Sequence, residues 1–124
     1  MQVQKDQNHI YGGNAVLEGK ERFGWFVGNF ITPQHPLRTN KEVEIKWGIH
    51  PQGEKRTSGA PTGEATTATI LIKGRYKLTF SGKEFLLTKE GDYLIFHPNQ
   101  PHTAEALADT TMLTIRWPSL PRNS

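Results

Sequence analysis

The sequence predicts an all-β domain, a sandwich or a closed barrel, and three observations carry that expectation. Apolar residues recur in short stretches with the two-residue period of strands. Turn-forming residues, 12 glycines and 8 prolines among 124 residues, separate those stretches at short, even intervals. No segment of useful length carries a helical period. Closing the sheet would also remove the free strand edges through which such chains aggregate. A chain of this length has room for one core and not for two. Residues 1–20 are poor in apolar anchors and are expected to form an N-terminal arm or edge strand, with residues 21–124 as one barrel domain.

Along the chain, residues 23–31 are strongly apolar, and their glycines suggest a bent strand. Pro33 and Pro36 mark the following loop. Residues 42–50 alternate cleanly. Val43, Ile45, Trp47 and Ile49 share one face, which is expected to pack in the core, and Glu42, Glu44, Lys46 and His50 share the other. Pro51, Gln52 and Gly53 end that strand, and residues 54–65 read as a polar loop. Residues 66–80 read as two strands around Gly74, and residues 84–88 as a further strand. Gly91 and Asp92 turn the chain into Tyr93, Leu94, Ile95 and Phe96, a buried strand that Pro98 and Pro101 must terminate. His102 is delivered just beyond that rigid turn. Residues 103–106 and 110–117 are the last strands, and Pro118 and Pro121 are expected to end the ordered chain.

Composition narrows the function classes. The absence of cysteine excludes disulfides, thiolate metal sites and thiol nucleophiles. No apolar leader is visible at the N-terminus, and no apolar run approaches the ~20 residues that span a bilayer. A cytoplasmic protein without membrane contact is expected. The net charge of +3 arises from Lys and Arg interleaved with Asp and Glu, which describes a solvated surface rather than a nucleic-acid footprint.

The segment from Gly91 to His102 resembles the second motif of the cupin family: glycine, five residues, proline, any residue, glycine, two residues, histidine. Gly91 and His102 match. Pro98 stands one place late, and Asn99 replaces the usual glycine, a mild change because asparagine tolerates the left-handed conformation. Gly53 and Gly74 match the start and end of the family's first motif, in a loop about one residue longer. Thr67 occupies its glutamate place, and Gly59 and Pro61 its two histidine places. The resemblance covers roughly residues 40–117. It implies a cupin-like jelly roll and, by analogy, a homodimer paired through its sheets, with residues 23–31 available for that contact. Three of the family's four metal ligands are absent, and His102 alone remains.

Three functional readings follow. In the first, the barrel binds a small polar or anionic molecule, and His102, Thr67, Thr69, Arg56, Arg75 and Tyr93 are the candidate contacts. In the second, His50, His102 and Glu64 rebuild a site for a divalent transition metal that polarises substrate oxygens. Strand parity puts His50 with Glu44 and Lys46, so it points inward only in a barrel whose pocket face is polar. In the third, His102 with Tyr76 or Tyr93 performs metal-free acid–base catalysis, as in the sugar-nucleotide epimerases of the same superfamily. Beside these stand plainer roles. Lys73, Arg75 and Lys77 read as a solvated stripe, His97 as structural or exposed, and Trp25, Trp47 and Trp117 as core or dimer contacts.

Overall fold

Two antiparallel sheets face each other across an apolar layer, and the chain crosses between them at almost every turn. A computed structural model describes residues 4–6, 9–58 and 64–119. Its elements in chain order are β1 (Gln4–Asp6), β2 (Ile10–Gly12), α1 (Ala15–Glu18), β3 (Trp25–Val27), β4 (Glu44–His50), β5 (Lys55–Ser58), β6 (Thr66–Lys73), β7 (Tyr76–Phe80), β8 (Lys83–Leu87), β9 (Tyr93–Phe96), β10 (His102–Ala106) and β11 (Thr110–Trp117). The larger sheet runs β3-β4-β11-β6-β9 and the smaller β5-β10-β7-β8. From β4 onward the strands alternate between the sheets, with β7 and β8 as the one hairpin that stays within a sheet, which is the interleaving of a jelly roll. No helix among the described residues is long and apolar enough to cross a membrane.

Glycine chemistry makes the crossings. Gly53, Gly74 and Gly91 all have positive φ. At Gly74 a Cβ would lie 2.5 Å from the carbonyl oxygen of Asp109 and 2.6 Å from the Cα of Thr110, so no larger residue fits. Asn99 is left-handed at φ 65°, the conformation that the glycine it replaces would adopt. Between the sheets, Leu71 and Met112 pack on Tyr76, Leu78, Leu87, Ala104 and Ala106, with Phe80, Leu94 and Phe96 at the margin.

The parity of β4 is the reverse of the expectation. Glu44, Lys46 and His50 are buried, whereas Ile45 and Trp47 are half-buried and Ile49 is exposed. The interior of this barrel is polar where β4 passes, so the apolar side of the strand faces outward. The register continues that outer layer across the sheet. Ile45, Ile115, Ala68 and Ile95 form one row, and Trp47, Leu113, Ile70 and Tyr93 the next.

Other segments also depart from the sequence reading. Residues 55–58 form a strand, because pairing with β10 supplies what the local sequence lacks. The stretch at 23–31 keeps only three residues of strand. Of the arm or edge strand expected at the N-terminus, residues 10–12 take the strand form, paired with β1, and residues 15–18 form α1. Asn14 caps α1 by accepting from Leu17 N at 3.1 Å. Tyr11 donates its hydroxyl to Glu18, and the Arg38 guanidinium lies 3.8 Å from Glu18 and donates to the Phe26 carbonyl. Order does not end at Pro118: Ser119 is fully buried and its hydroxyl accepts from both the backbone and the side-chain amide of Asn29. Gly59, Pro61 and Pro121 lie outside the described residues.

Candidate functional site

The inner faces of both sheets enclose a cavity of about 310 Å³. Cross-strand register builds its polar wall. Lys46, Thr114 and Thr69 form one row across β4, β11 and β6; in the next, Arg116 and Thr67 reach the cavity, while Glu44, paired with Arg116 on β4, is fully buried and off the lining. The hydroxyls of Thr69 and Thr114 are 3.2 Å apart. The smaller sheet supplies an apolar wall opposite, made by Tyr76, Leu78 and Ala104, and Met112 of β11 and Phe96 of β9 extend the apolar lining onto the larger sheet. Arg56 enters from β5, and His97, Asn99, Gln100 and His102 line the mouth. Among the described residues, Lys46, Arg56 and Arg116 line this cavity and no aspartate or glutamate does.

Lys46 pays for that position. Burial, reinforced by the charges of Arg56 and Arg116 and only partly opposed by Glu54, lowers its pKa to about 8. Its ammonium sits 5.8 Å from the centre of the Trp25 ring, and the Arg116 guanidinium lies 4.7 Å from the same ring.

Farther along β4, His50 also lines the cavity, and its Nδ1 lies 2.6 Å from Glu54 Oε1. A carboxylate can only accept, so Nδ1 carries the proton and Nε2 is left with a lone pair. Burial holds the pKa of His50 below its usual value despite Glu54, which favours the neutral ring. Burial alone would raise Glu54, but the hydrogen bond from His50 and the charges of His50 and Arg56 bring it below the usual carboxylate range. Arg56 Nε donates to the same Glu54 oxygen at 2.9 Å. The His50 ring also packs 5.2 Å from Tyr76, whose hydroxyl pKa is raised by burial.

His102 is held at the mouth. Its Nδ1 donates to the Gln100 carbonyl at 3.0 Å, and its ring stacks on Phe80 at 4.8 Å and meets Phe96 edge-on at 5.1 Å. Its Nε2 is therefore the atom available to a ligand.

The structure brings some of the expected residues together and separates others. Thr67, Thr69, Arg56, His50 and His102 line one cavity. Arg75 is exposed at the turn between β6 and β7, and Tyr93 is exposed on the outer face, so neither reaches the cavity. Tyr76, not Tyr93, stands on the cavity wall. Glu64 is exposed and off the wall. With Glu64 outside, no three histidine, aspartate or glutamate side chains among the described residues gather to hold a metal ion, and the donor set does not fit one. Lys46, Glu54 and Arg116 were not singled out from the sequence. The separation of His50 and Glu54 by a Pro-Gln-Gly turn is the signal that could have found that pair.

No protein-family model matches the sequence, and no curated protein sequence matches it either. Solved structures do share the fold. KdgF from Halomonas sp. matches with a TM-score of 0.57 at 15% identity, over 64% of this chain and 71% of that one. A cupin superfamily protein from Desulfitobacterium hafniense DCB-2 matches with a TM-score of 0.57 at 22% identity, over 65% and 72% of the two chains. A cupin protein from Bacteroides fragilis matches with a TM-score of 0.58 at 19% identity, over 73% and 79%. At these identities the likeness is one of fold, and it places the chain among the jelly-roll barrels.

Proposed function

We propose that this small cupin-fold barrel binds a small anionic molecule in its cavity. The observation that carries the reading is the cation-lined wall: Lys46, Arg56 and Arg116 face the cavity with no carboxylate among its described lining residues. A buried lysine held at about 8 is a cost to the fold, and an oxyanion beside it would relieve that cost by favouring the charged amine. Thr67, Thr69 and His102 Nε2 supply hydrogen bonds around the anion, and the apolar wall takes the rest of the molecule. Thermal melts with phosphate, citrate and acetate, set against glucose at matched ionic strength, test this. The oxyanions should raise the melting temperature and glucose should not. Lys46→Met should weaken binding roughly tenfold or more, the scale of one charge-assisted hydrogen bond. Equal response to glucose and to oxyanions would sink the reading.

A second reading has an observation of its own. The neutral His50, oriented by Glu54 beside Tyr76, has the parts of a general base and its partner. In an acid–base enzyme built on this barrel, His50 rather than His102 would be the base.

We also propose that a second copy of the chain covers the outer face of the larger sheet. Ile49, Tyr93, Ile95 and Trp117 are exposed there, next to the rows of half-buried Ile45, Trp47, Leu113 and Ile115. The two central rows carry no charge, so pairing two copies there brings no like charges into direct contact. Light scattering after size exclusion should give a dimer, and Ile95→Lys should give a monomer. A wild-type monomer at every soluble concentration would overturn the pairing.

A further inference from the structure

We infer that Lys46 is an amine nucleophile that forms a reversible imine with a small oxo-acid held in the cavity. This rests on the anion-binding reading and narrows its ligand to carboxylates that also carry an aldehyde or ketone. The inference starts from placement. Lys46 is 8% exposed on the inner face of β4 and lines the cavity. Among the described residues, no carboxylate forms an ion pair with it within 4.0 Å. A buried lysine whose desolvation is only partly offset, here by the charge of Glu54 beyond ion-pair distance, is a poor structural element. It is a good nucleophile, because the same desolvation supplies neutral amine. With a pKa of about 8, roughly a tenth of the chains carry that amine at pH 7 and about half at pH 8.

The surroundings supply the remaining parts. Arg56 and Arg116 share the wall with Lys46 and attract the carboxylate of the incoming molecule. His50 lies four residues along the same strand, with Gly48 between them on the same face. A Cβ at Gly48 would sit 2.8 Å from His50 Nε2, so the unprotonated ring nitrogen lies over the space that Gly48 leaves open. Glu54 fixes that tautomer by taking the Nδ1 proton.

The step balances without any oxidant or reductant. The Lys46 nitrogen attacks the carbonyl carbon, a C–N bond forms, and the carbonyl π pair moves to oxygen, which takes a proton. His50 Nε2 accepts a proton from the attacking nitrogen and returns it to the hydroxyl of the carbinolamine. The C–O bond then breaks, water leaves, and the protonated imine remains. Overall, amine, carbonyl compound and one proton give the iminium ion and one water.

Borohydride trapping tests this on the full chain. The protein is incubated with pyruvate, with acetone as a carbonyl lacking a carboxylate, and with lactate as a carboxylate lacking a carbonyl. Each mixture is reduced and digested, and the peptides are mapped by mass. Pyruvate should leave one reduced adduct on Lys46, acetone far less and lactate none. Labelling should rise with pH through about 8 and disappear in Lys46→Arg, which keeps a cation on the wall. Pyruvate adducts confined to other lysines, in a protein whose melting temperature lactate raises, would overturn the imine and leave the anion site standing. If lactate and phosphate have no effect on melting and pyruvate does not label Lys46, the anion-binding reading fails and the imine with it.

Discussion

Lys46→Met should stabilise the folded chain at pH 7 by on the order of 3 kcal/mol while it removes oxyanion affinity. The ordinary lysine value is 10.5, and burial among Arg56 and Arg116 holds Lys46 at about 8. At ~1.4 kcal/mol per unit, that gap is the cost of keeping the amine charged inside the fold. The sign follows from proton counting. Between about 8 and 10.5 the unfolded chain keeps a proton that the folded chain has released. Wild-type stability therefore rises with pH through that window. Methionine fills a similar volume without charge, so its advantage is full at pH 7 and shrinks to little above 10.5. Urea unfolding of both proteins at pH 7 and near the top of that window measures the difference. A variant no more stable than wild type at pH 7 would mean that water reaches Lys46 through the mouth and solvates its charge. A fold that holds a destabilising cation against its own cavity has given up stability at a site of function.

Much of this barrel is legible in the sequence because its turns are written in glycine and proline. Gly53, Gly74 and Gly91 sit where the chain crosses between sheets, and Asn99 takes the left-handed conformation its place requires. The strands at 66–73, 76–80, 93–96 and 110–117 lie within a residue or so of the expected bounds. The face of β4 was not legible. Alternation locates two faces but does not say which is inside, and the usual rule sends the apolar one inward. Here the cavity wall is polar and the outer sheet face apolar, so the rule inverts. That inversion also hid Lys46, which reads as a solvent-facing lysine until the pairing of β4 with β11 sets it beside Thr114 on the inner side. β5, with the sequence Lys-Arg-Thr-Ser, has no strand signature of its own and exists because β10 pairs with it. Arg56 reaches the cavity from that strand, and the sequence offered only a polar loop around it.

The inversion makes the order of two core substitutions decisive. Leu71→Ala should cost roughly 3–5 kcal/mol, and Trp47→Ala about 1 kcal/mol, although tryptophan is by far the larger side chain. Leu71 is 1% exposed and packs between the sheets with Tyr76, Leu78, Leu87 and Met112. Its removal leaves a hole that two sheets tied together by their crossings cannot close. Trp47 lies half-buried on the outer face opposite Leu113, so its loss exposes neighbours and opens no cavity. Both variants are to be compared by urea unfolding at concentrations where the chain is monomeric, because a partner on the outer face would add its own contribution at Trp47. The naive reading of β4 demands the opposite order, with Trp47→Ala the costlier change. Should that order be observed, the inner and outer faces are exchanged, Lys46 and His50 point to solvent, and the cationic cavity with everything built on it must be given up.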